Sequence, residues 1–392
     1  MGLGIRTRLR RWRNGPYVND EYLEARAIGE LLHAPPGAVL PAPAPDAPLQ
    51  LAFVVPFFRP GSGGHMTIAN LVRALERRGH RCSIWIDDPG RRLPDAATAV
   101  ADLRTWFGPF AAGVAYGTAG YAGADVAIAT GWQTAARVRS LPAAGRAYLV
   151  QDHELEFFGT SVQRSWANDS YTYGLYPITA GTWLAGLMRE DYNLPATSFD
   201  LGIEGDRWRP QPEVTRRDDV VVAYARSSTP RRAVPIVLAA LAELHRRRPG
   251  VEVWVYGHSG PMGVDFPHRN LGMVPEPRLP AVYAEATVGL VLSMTNHSLA
   301  AQEMLACGLP CVELDAPSVV QAFGRDGPVD YAPLDPSAIA DAVGRLLDDP
   351  ALRARRAEQG VALRAQRTWD HAAGQVEGGL RAAIAFTQGE GG

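Results

Sequence analysis

The chain has 392 residues, more than one hydrophobic core usually serves, so two domains of about 170–200 residues are expected. Apolar residues make up 46% and charged residues 20%, which excludes a mainly disordered chain, and 39 basic against 41 acidic residues give no electrostatic case for nucleic acid. All 39 basic residues are arginine. The absence of lysine excludes a Schiff-base enzyme, a pyridoxal enzyme anchored on its own lysine, and a P-loop NTPase of the GK[ST] type.

Cys82, Cys307 and Cys311 are too few for a disulfide framework and include no C-x-x-C zinc half-site, so each is expected to fill space in a core. The N-terminal MGLGIRTRLRRWRNG carries five arginines but no following apolar h-region, which argues against a secretory signal. No uncharged apolar run reaches the roughly 18–20 residues that span a bilayer, the Gly/Ala-rich stretch 111–124 included. A cytoplasmic chain is expected.

Residues 1–48 read as an extension, basic at first and then Pro/Ala-rich in APPGAVLPAPAPDAPLQ, a composition suited to a stiff tether. Arg6, Arg8, Arg10, Arg11 and Arg13 with Leu3, Ile5, Leu9 and Trp12 fit a short basic amphipathic helix. Such a helix either meets an anionic membrane surface, at roughly 1 kcal/mol per basic residue near the lipid, or lies solvated on the protein.

A first domain is expected over 49–203. It opens with the continuous apolar run Leu51–Phe58, as for a strand buried on both faces. After the glycines of RPGSGG, helical spacing runs from Thr67 to Arg78; Gly79 stops it and Cys82–Ile86 returns as a strand. Asp125–Thr130 and Ala147–Gln151 read as further buried strands, with helices near Gly131–Arg139 and Thr182–Asp191.

The alternation resumes over 204–367. Strands are expected at Val220–Tyr224, Val251–Tyr256, Thr287–Leu292 and Pro310–Leu314, with helices at Val234–Arg247, Leu279–Glu285, Ser298–Ala306, Ser337–Leu347 and Ala351–Gln366. A last helix within 368–392 is expected to return to the first domain. The whole predicts an α/β chain of two doubly wound parallel-sheet halves facing a central cleft, where the ligand lies at the carboxyl ends of the strands.

Three segments can carry chemistry there. Gly61-Ser-Gly-Gly64 joins a strand to a helix, so the amides of Gly63 and Gly64 and the helix dipole favour an anion or sugar, although Met66 breaks the G-x-G-x-x-G dinucleotide pattern. Arg226 and Arg231, one at a strand end and one in the following loop, suit a diphosphate, whose oxygens guanidinium groups grip bidentately. Ser298 caps a helix that Gly308 closes, and Glu303 lies along its apolar edge rather than a plainly solvated face. A carboxylate so placed suits a vicinal diol, though a structural salt bridge would use it equally well.

Together these segments resemble retaining glycosyltransferases of the GT-B fold, of the family 4 type, over about residues 50–375. GGHMTIANLVRALERRGH is similar to that family's G-G…L…L…R-G-H signature, LGIEGDRWRP to its interdomain N-G-V-D…F-x-P segment, and AYARSSTPRR to its G-R…K diphosphate clamp, with Arg226 on the Arg and Arg231 on the Lys. Asn270–Val274 with Leu279 and Tyr283 resembles the nucleotide segment, and LAAQEMLACGLPCVE resembles L-L-E-A-M-A-C-G-L-P-V-V. More narrowly, YLVQDHELEFF, ITAGTWL and ARSSTPRR are similar to bacterial rhamnosyltransferases of cell-surface glycan assembly. One departure stands out: the first Glu of the family's E-x7-E motif is here Thr295.

The resemblance implies a hexosyltransferase that takes a nucleoside diphosphate sugar, such as dTDP-L-rhamnose or a related deoxysugar, and a glycan or metabolite acceptor, with neither cofactor nor metal. It implies donor contacts from Gly63, Gly64, His65, Arg226, Arg231, Asn296, His297, Ser298, Leu299 and Glu303, and base contacts from Gly257, Met273 and Val274. His153 and Glu154 fall where the family places acceptor-side polar residues. They join Arg226 and Arg231 as expected catalytic groups, as a general base in an inverting enzyme or as orienting groups in a retaining one. Two other readings stay open: a non-hydrolysing sugar-nucleotide epimerase, and a catalytically silent binding subunit, which Thr295 favours.

Overall fold

The computed structural model describes residues 20–389, so the basic segment at Leu3–Arg13 lies outside the described residues. Two parallel sheets carry the chain. The first holds seven strands: β1 (Gln50–Val55), β2 (Arg81–Ile86), β3 (Gly113–Tyr116), β4 (Ala124–Ala129), β5 (Ala143–Val150), β6 (Tyr176–Ala180) and β7 (Thr197–Phe199), in the order β3-β2-β1-β4-β5-β6-β7. The second holds β8 (Val220–Tyr224), β9 (Glu252–Tyr256), β10 (Arg269–Asn270), β11 (Val288–Leu290), β12 (Cys311–Leu314) and β13 (Val329–Ala332), in the order β10-β9-β8-β11-β12-β13. Each order reverses direction once, between β1 and β4 and between β8 and β11. Ligands of open parallel sheets bind beyond the carboxyl ends of strands at such a reversal.

The strands form because their residues are apolar on both faces. In the second sheet Val221, Ala223, Val253, Val255 and Leu290 enter one core cluster, while their neighbours Val220, Val222, Trp254 and Tyr256 enter another. Burying a Val or Leu side chain contributes about 1.5–3 kcal/mol, so both helical layers are held by the alternation within single strands. The expected helices Val234–Arg247 and Leu279–Glu285 and the expected strand Val220–Tyr224 match residue for residue.

The fold contains more than the sequence announced. The helices Ala96–Phe107, Val162–Ser170 and Pro317–Phe323 and the strands β3, β6, β7 and β13 lack strong apolar periodicity, being short or rich in small and polar residues. The stretch 20–48 is built into the fold rather than strung out as a tether. Its helix Asp20–His33 packs on the helix Trp132–Ser140. The Arg146 guanidinium, 6% exposed, donates to the carbonyls of Gly37 (2.5 Å), Ala38 (3.0 Å) and Leu141 (3.1 Å), which fixes the Pro-rich run against β5.

The described chain packs as two compact units. One runs to Tyr148 and adds Asp169–Leu175 and the residues from Arg381 on; the other is Leu149–Asn168 with Tyr176–Leu380. No described helix is long and apolar enough to cross a membrane.

Candidate functional site

In the second unit, the loops after β8 and β11 lie at the reversal of strand order. Beyond β8, the Ala225 amide donates to the Tyr256 carbonyl (2.8 Å), Arg226 follows, and a tight turn Pro230–Arg232 leads into the helix Val234–Arg247. Arg231 is half-buried. Its Nε lies 3.2 Å from Asp152 Oδ2, and its guanidinium sits 4.2 Å over the Phe157 ring. The Nε–H is not aligned as a hydrogen bond, so the contact is Coulombic. Burial pulls the Arg231 pKa down; Asp152 opposes that, while Arg232 and Arg226 add to it. Its carbonyl accepts from the Met294 amide (3.0 Å), which ties the turn to the loop after β11.

That loop is held from two sides. The Asn296 side-chain amide donates to the carbonyls of Gln151 (2.9 Å) and Ala180 (2.8 Å), its backbone N–H donates to Asp152 Oδ1 (2.9 Å), and its Oδ1 accepts from the His297 N–H (3.0 Å). His297 packs edge-on against Phe323, and burial pushes its pKa down to about 3, so it is a neutral imidazole at ordinary pH. Ser298 caps the helix Leu299–Ala306 by accepting from the Ala300 amide (3.2 Å); Leu299 is half-buried at its first turn. Thr295 is buried, its carbonyl accepts from the Ser318 hydroxyl, and its own hydroxyl has no hydrogen-bond partner among the described residues.

Glu303 lies one turn into this helix; its carbonyl accepts from the Cys307 amide (3.1 Å), while its carboxyl group makes no hydrogen bond or ion pair among the described residues. Burial first, then Glu276 and Glu204, push its carboxyl up to about 8, with Arg207 partly opposing. Arg207 is itself held by Glu204 (2.5 Å) and Glu276 (2.6 Å). Gly257, at the end of β9, has φ of +91°, and a Cβ there would lie 3.0 Å from Tyr224 Cε2 and 3.4 Å from the Arg226 amide. Its N–H donates to the Gly272 carbonyl (2.9 Å), which places Met273, 57% exposed, and the half-buried Val274 next along the same rim.

His153 and Glu154 belong to the same unit. The His153 N–H donates to Asp152 Oδ1 (2.9 Å), its ring meets Trp183 edge-on, and burial lowers its pKa while Glu156, Asp152 and Asp191 oppose that. Glu154 is buried at the start of a short 3-10 turn, whereas Glu156 turns to Arg164 (3.0 Å). Asp152 therefore touches Arg231, Asn296 and His153 at once.

Gly63, Gly64 and His65 lie in the first unit, at the carboxyl end of β1 where that sheet's order reverses. Ser62 caps the helix Gly63–Arg77 through the His65 amide and also meets His65 Nδ1 (2.9 Å). The ring lies between Phe58 and Phe107, and burial pushes its pKa down to about 4. The second unit alone brings together Arg226, Arg231, Asn296–Leu299, Glu303 and Gly257.

A second polar chain escaped the sequence reading. Arg232 Nη1 donates to Ser293 Oγ (2.6 Å), and Ser293 donates through Oγ (2.7 Å) and its amide (2.7 Å) to Glu313, which is 0% exposed on β12. A charged residue in the apolar run CVEL was the available signal. No group of three or more His, Cys, Asp or Glu side chains among the described residues could hold a metal.

Residues 218–349 match the family of glycosyl transferases group 1. The chain is 31% identical over 266 residues, 65% of its length, to the O-antigen biosynthesis protein RfbC of Myxococcus xanthus, of which it spans 20%. Among solved structures it is similar to the sucrose-phosphate synthase of Thermosynechococcus elongatus, with TM-score 0.65, 15% identity, and coverage of 86% of this chain and 99% of that one. It is also similar to Anabaena HepE in complex with UDP-glucose, with TM-score 0.60, 15% identity, and coverage of 87% and 99%. These likenesses and the two parallel sheets establish the GT-B fold.

Proposed function

We propose that the chain is a glycosyltransferase that moves a sugar from a nucleoside diphosphate to a hydroxyl of a glycan or metabolite. The observation that carries this reading is the grouping of Arg226 and Arg231 beside the Ser298-capped helix, with Glu303 one turn along it, at the reversal of strand order. As the glycosidic bond breaks, the leaving diphosphate takes the electron pair. Cations and open helix amides aimed at that charge stabilise the transition state, and losing one such contact costs about 2.7–4 kcal/mol. Glu303 holds the ribose or deoxyribose hydroxyls, and Gly257, Met273 and Val274 lie along the base.

The acceptor oxygen bonds to the anomeric carbon near Asp152–Glu156, and its proton passes to the departing phosphate on the same face, so configuration is retained. The cations make a metal dispensable. Thr295, standing where the related family has a carboxylate, suits a donor with fewer hydroxyls, such as L-rhamnose or another deoxysugar. The O-antigen protein similar to this chain supports a role in polysaccharide biosynthesis, and the UDP-glucose complex supports the donor class.

Titration calorimetry with dTDP, UDP and GDP tests the reading, followed by mass spectrometry against a panel of nucleotide sugars. No binding to any of the three overturns it. Donor binding without even slow hydrolysis favours the silent subunit, to which Thr295 and the Asp152 carboxylate against Arg231 lend support.

A further inference from the structure

We propose that Arg232 is a third cation of the diphosphate site and that Glu313, acting through Ser293, is its positioning residue. The inference rests on the nucleoside diphosphate reading above and goes beyond the two-cation clamp of Arg226 and Arg231.

A fully buried carboxylate in the middle of a sheet is costly unless it is hydrogen-bonded and its charge answered. Glu313 meets both needs in one direction. Its Oε1 accepts from the amides of Ser293 (2.7 Å) and Leu314 (2.9 Å), and its Oε2 accepts from Ser293 Oγ (2.7 Å). The Ser293 hydroxyl hydrogen therefore points into the sheet, which turns its lone pairs outward, and Arg232 Nη1 donates to them at 2.6 Å. The relay sets one edge of the Arg232 guanidinium and leaves the remaining N–H groups of its fork to other acceptors. Arg232 is half-buried and lies close enough to Arg231 and His297 to disfavour a positive charge on either. It is thus adjacent both to the first clamp and to the loop that opens the Ser298 helix. Three guanidinium groups gathered at a strand-order reversal, with one held by a dedicated buried carboxylate, suit a ligand carrying at least two negative charges.

Glutamine at position 313 inverts the relay. Oε1 still takes the two amides, but the new NH2 donates to Ser293 Oγ, whose hydrogen is displaced and whose lone pairs are shared between two donors. The experiment measures UDP and dTDP affinity by calorimetry at pH 8.5, where Glu313 is ionised, for the wild-type chain, Arg232→Ala, Glu313→Gln and the double variant, with Ser293→Ala as an independent break in the relay. Arg232→Ala is expected to weaken both nucleotides about 10- to 100-fold, the loss expected for a hydrogen bond to a charged group. Glu313→Gln and Ser293→Ala are expected to weaken them severalfold, and Glu313→Gln should add almost nothing in the Arg232→Ala background. A purely structural role for Glu313 lowers affinity equally in both backgrounds, and that result overturns the positioning claim. Wild-type affinity in Arg232→Ala overturns the third cation. A wild-type chain that binds neither nucleotide overturns the parent reading, and this one with it.

Discussion

Asp152→Asn separates the two jobs of a single carboxylate. Oδ1 accepts from the amides of His153 (2.9 Å) and Asn296 (2.9 Å), which an asparagine carbonyl can still do, while Oδ2 faces Arg231 at 3.2 Å. At that distance, with an effective dielectric of about 20, the raw attraction is about 5 kcal/mol. The pair is 29% and 11% exposed, and desolvation of both groups cancels most of this, leaving a net contribution of about 1–2 kcal/mol. The variant should therefore melt about 4 °C lower. Nucleoside diphosphate affinity should move the other way. The carboxylate, 3.2 Å from Arg231 Nε, competes with a phosphate oxygen for that guanidinium, so its removal should tighten UDP about fivefold, near 1 kcal/mol. Thermal melting and calorimetry on the same preparation read both quantities. A loss of affinity together with a loss of stability would refute the reasoning, because Asp152 would then be serving the ligand rather than competing with it.

Arg226→Ala and Arg231→Ala should each lower turnover about 10²- to 10³-fold, measured as nucleotide release from a processed donor, and Arg231→Ala should also cost stability by leaving Asp152 without its cation. Burial raises the Glu313 carboxyl from 4.5 to about 7, so between those values the folded chain holds more protons than the unfolded one. The stability this group supplies at low pH is then lost as pH rises across that window, by on the order of 3 kcal/mol at most. Urea melts at pH 5, 6 and 7.5 should show a steeper slope in the wild type than in Glu313→Gln, where the slope that remains belongs to Glu303, raised to about 8. Gly257→Ala should cost about 1–3 kcal/mol by urea unfolding, since its φ of +91° is unfavourable to an L residue and its Cβ would press on Tyr224.

The β8–β12 half was legible because its strands are continuously apolar and its helices amphipathic, and a parallel sheet demands both patterns. Arg226, Ser298 and Glu303 were legible for a related reason: each interrupts or caps one of those patterns. What the sequence concealed is pairing across distance. Asp152 lies 79 residues from Arg231 and 144 from Asn296, and nothing local marks it as the group that touches both. Ser293 and Arg232 are similarly mute until β11 and β8 are neighbours, and Glu313 alone, a charge among apolar residues, gave a hint. The stretch 20–48 misled because proline-rich composition predicts extension correctly but says nothing of what the extended backbone lies against.

That stretch has a practical bearing. A chain trimmed to begin at Leu49 would look sensible by composition, yet it would strip Arg146 of two of the three carbonyls that hold its guanidinium and expose the side of the helix Trp132–Ser140 that the helix Asp20–His33 covers. Resistance to proteolysis ahead of Leu49 and insolubility after such trimming are both expected from that one contact, and any shortened version of the protein should start ahead of Asp20.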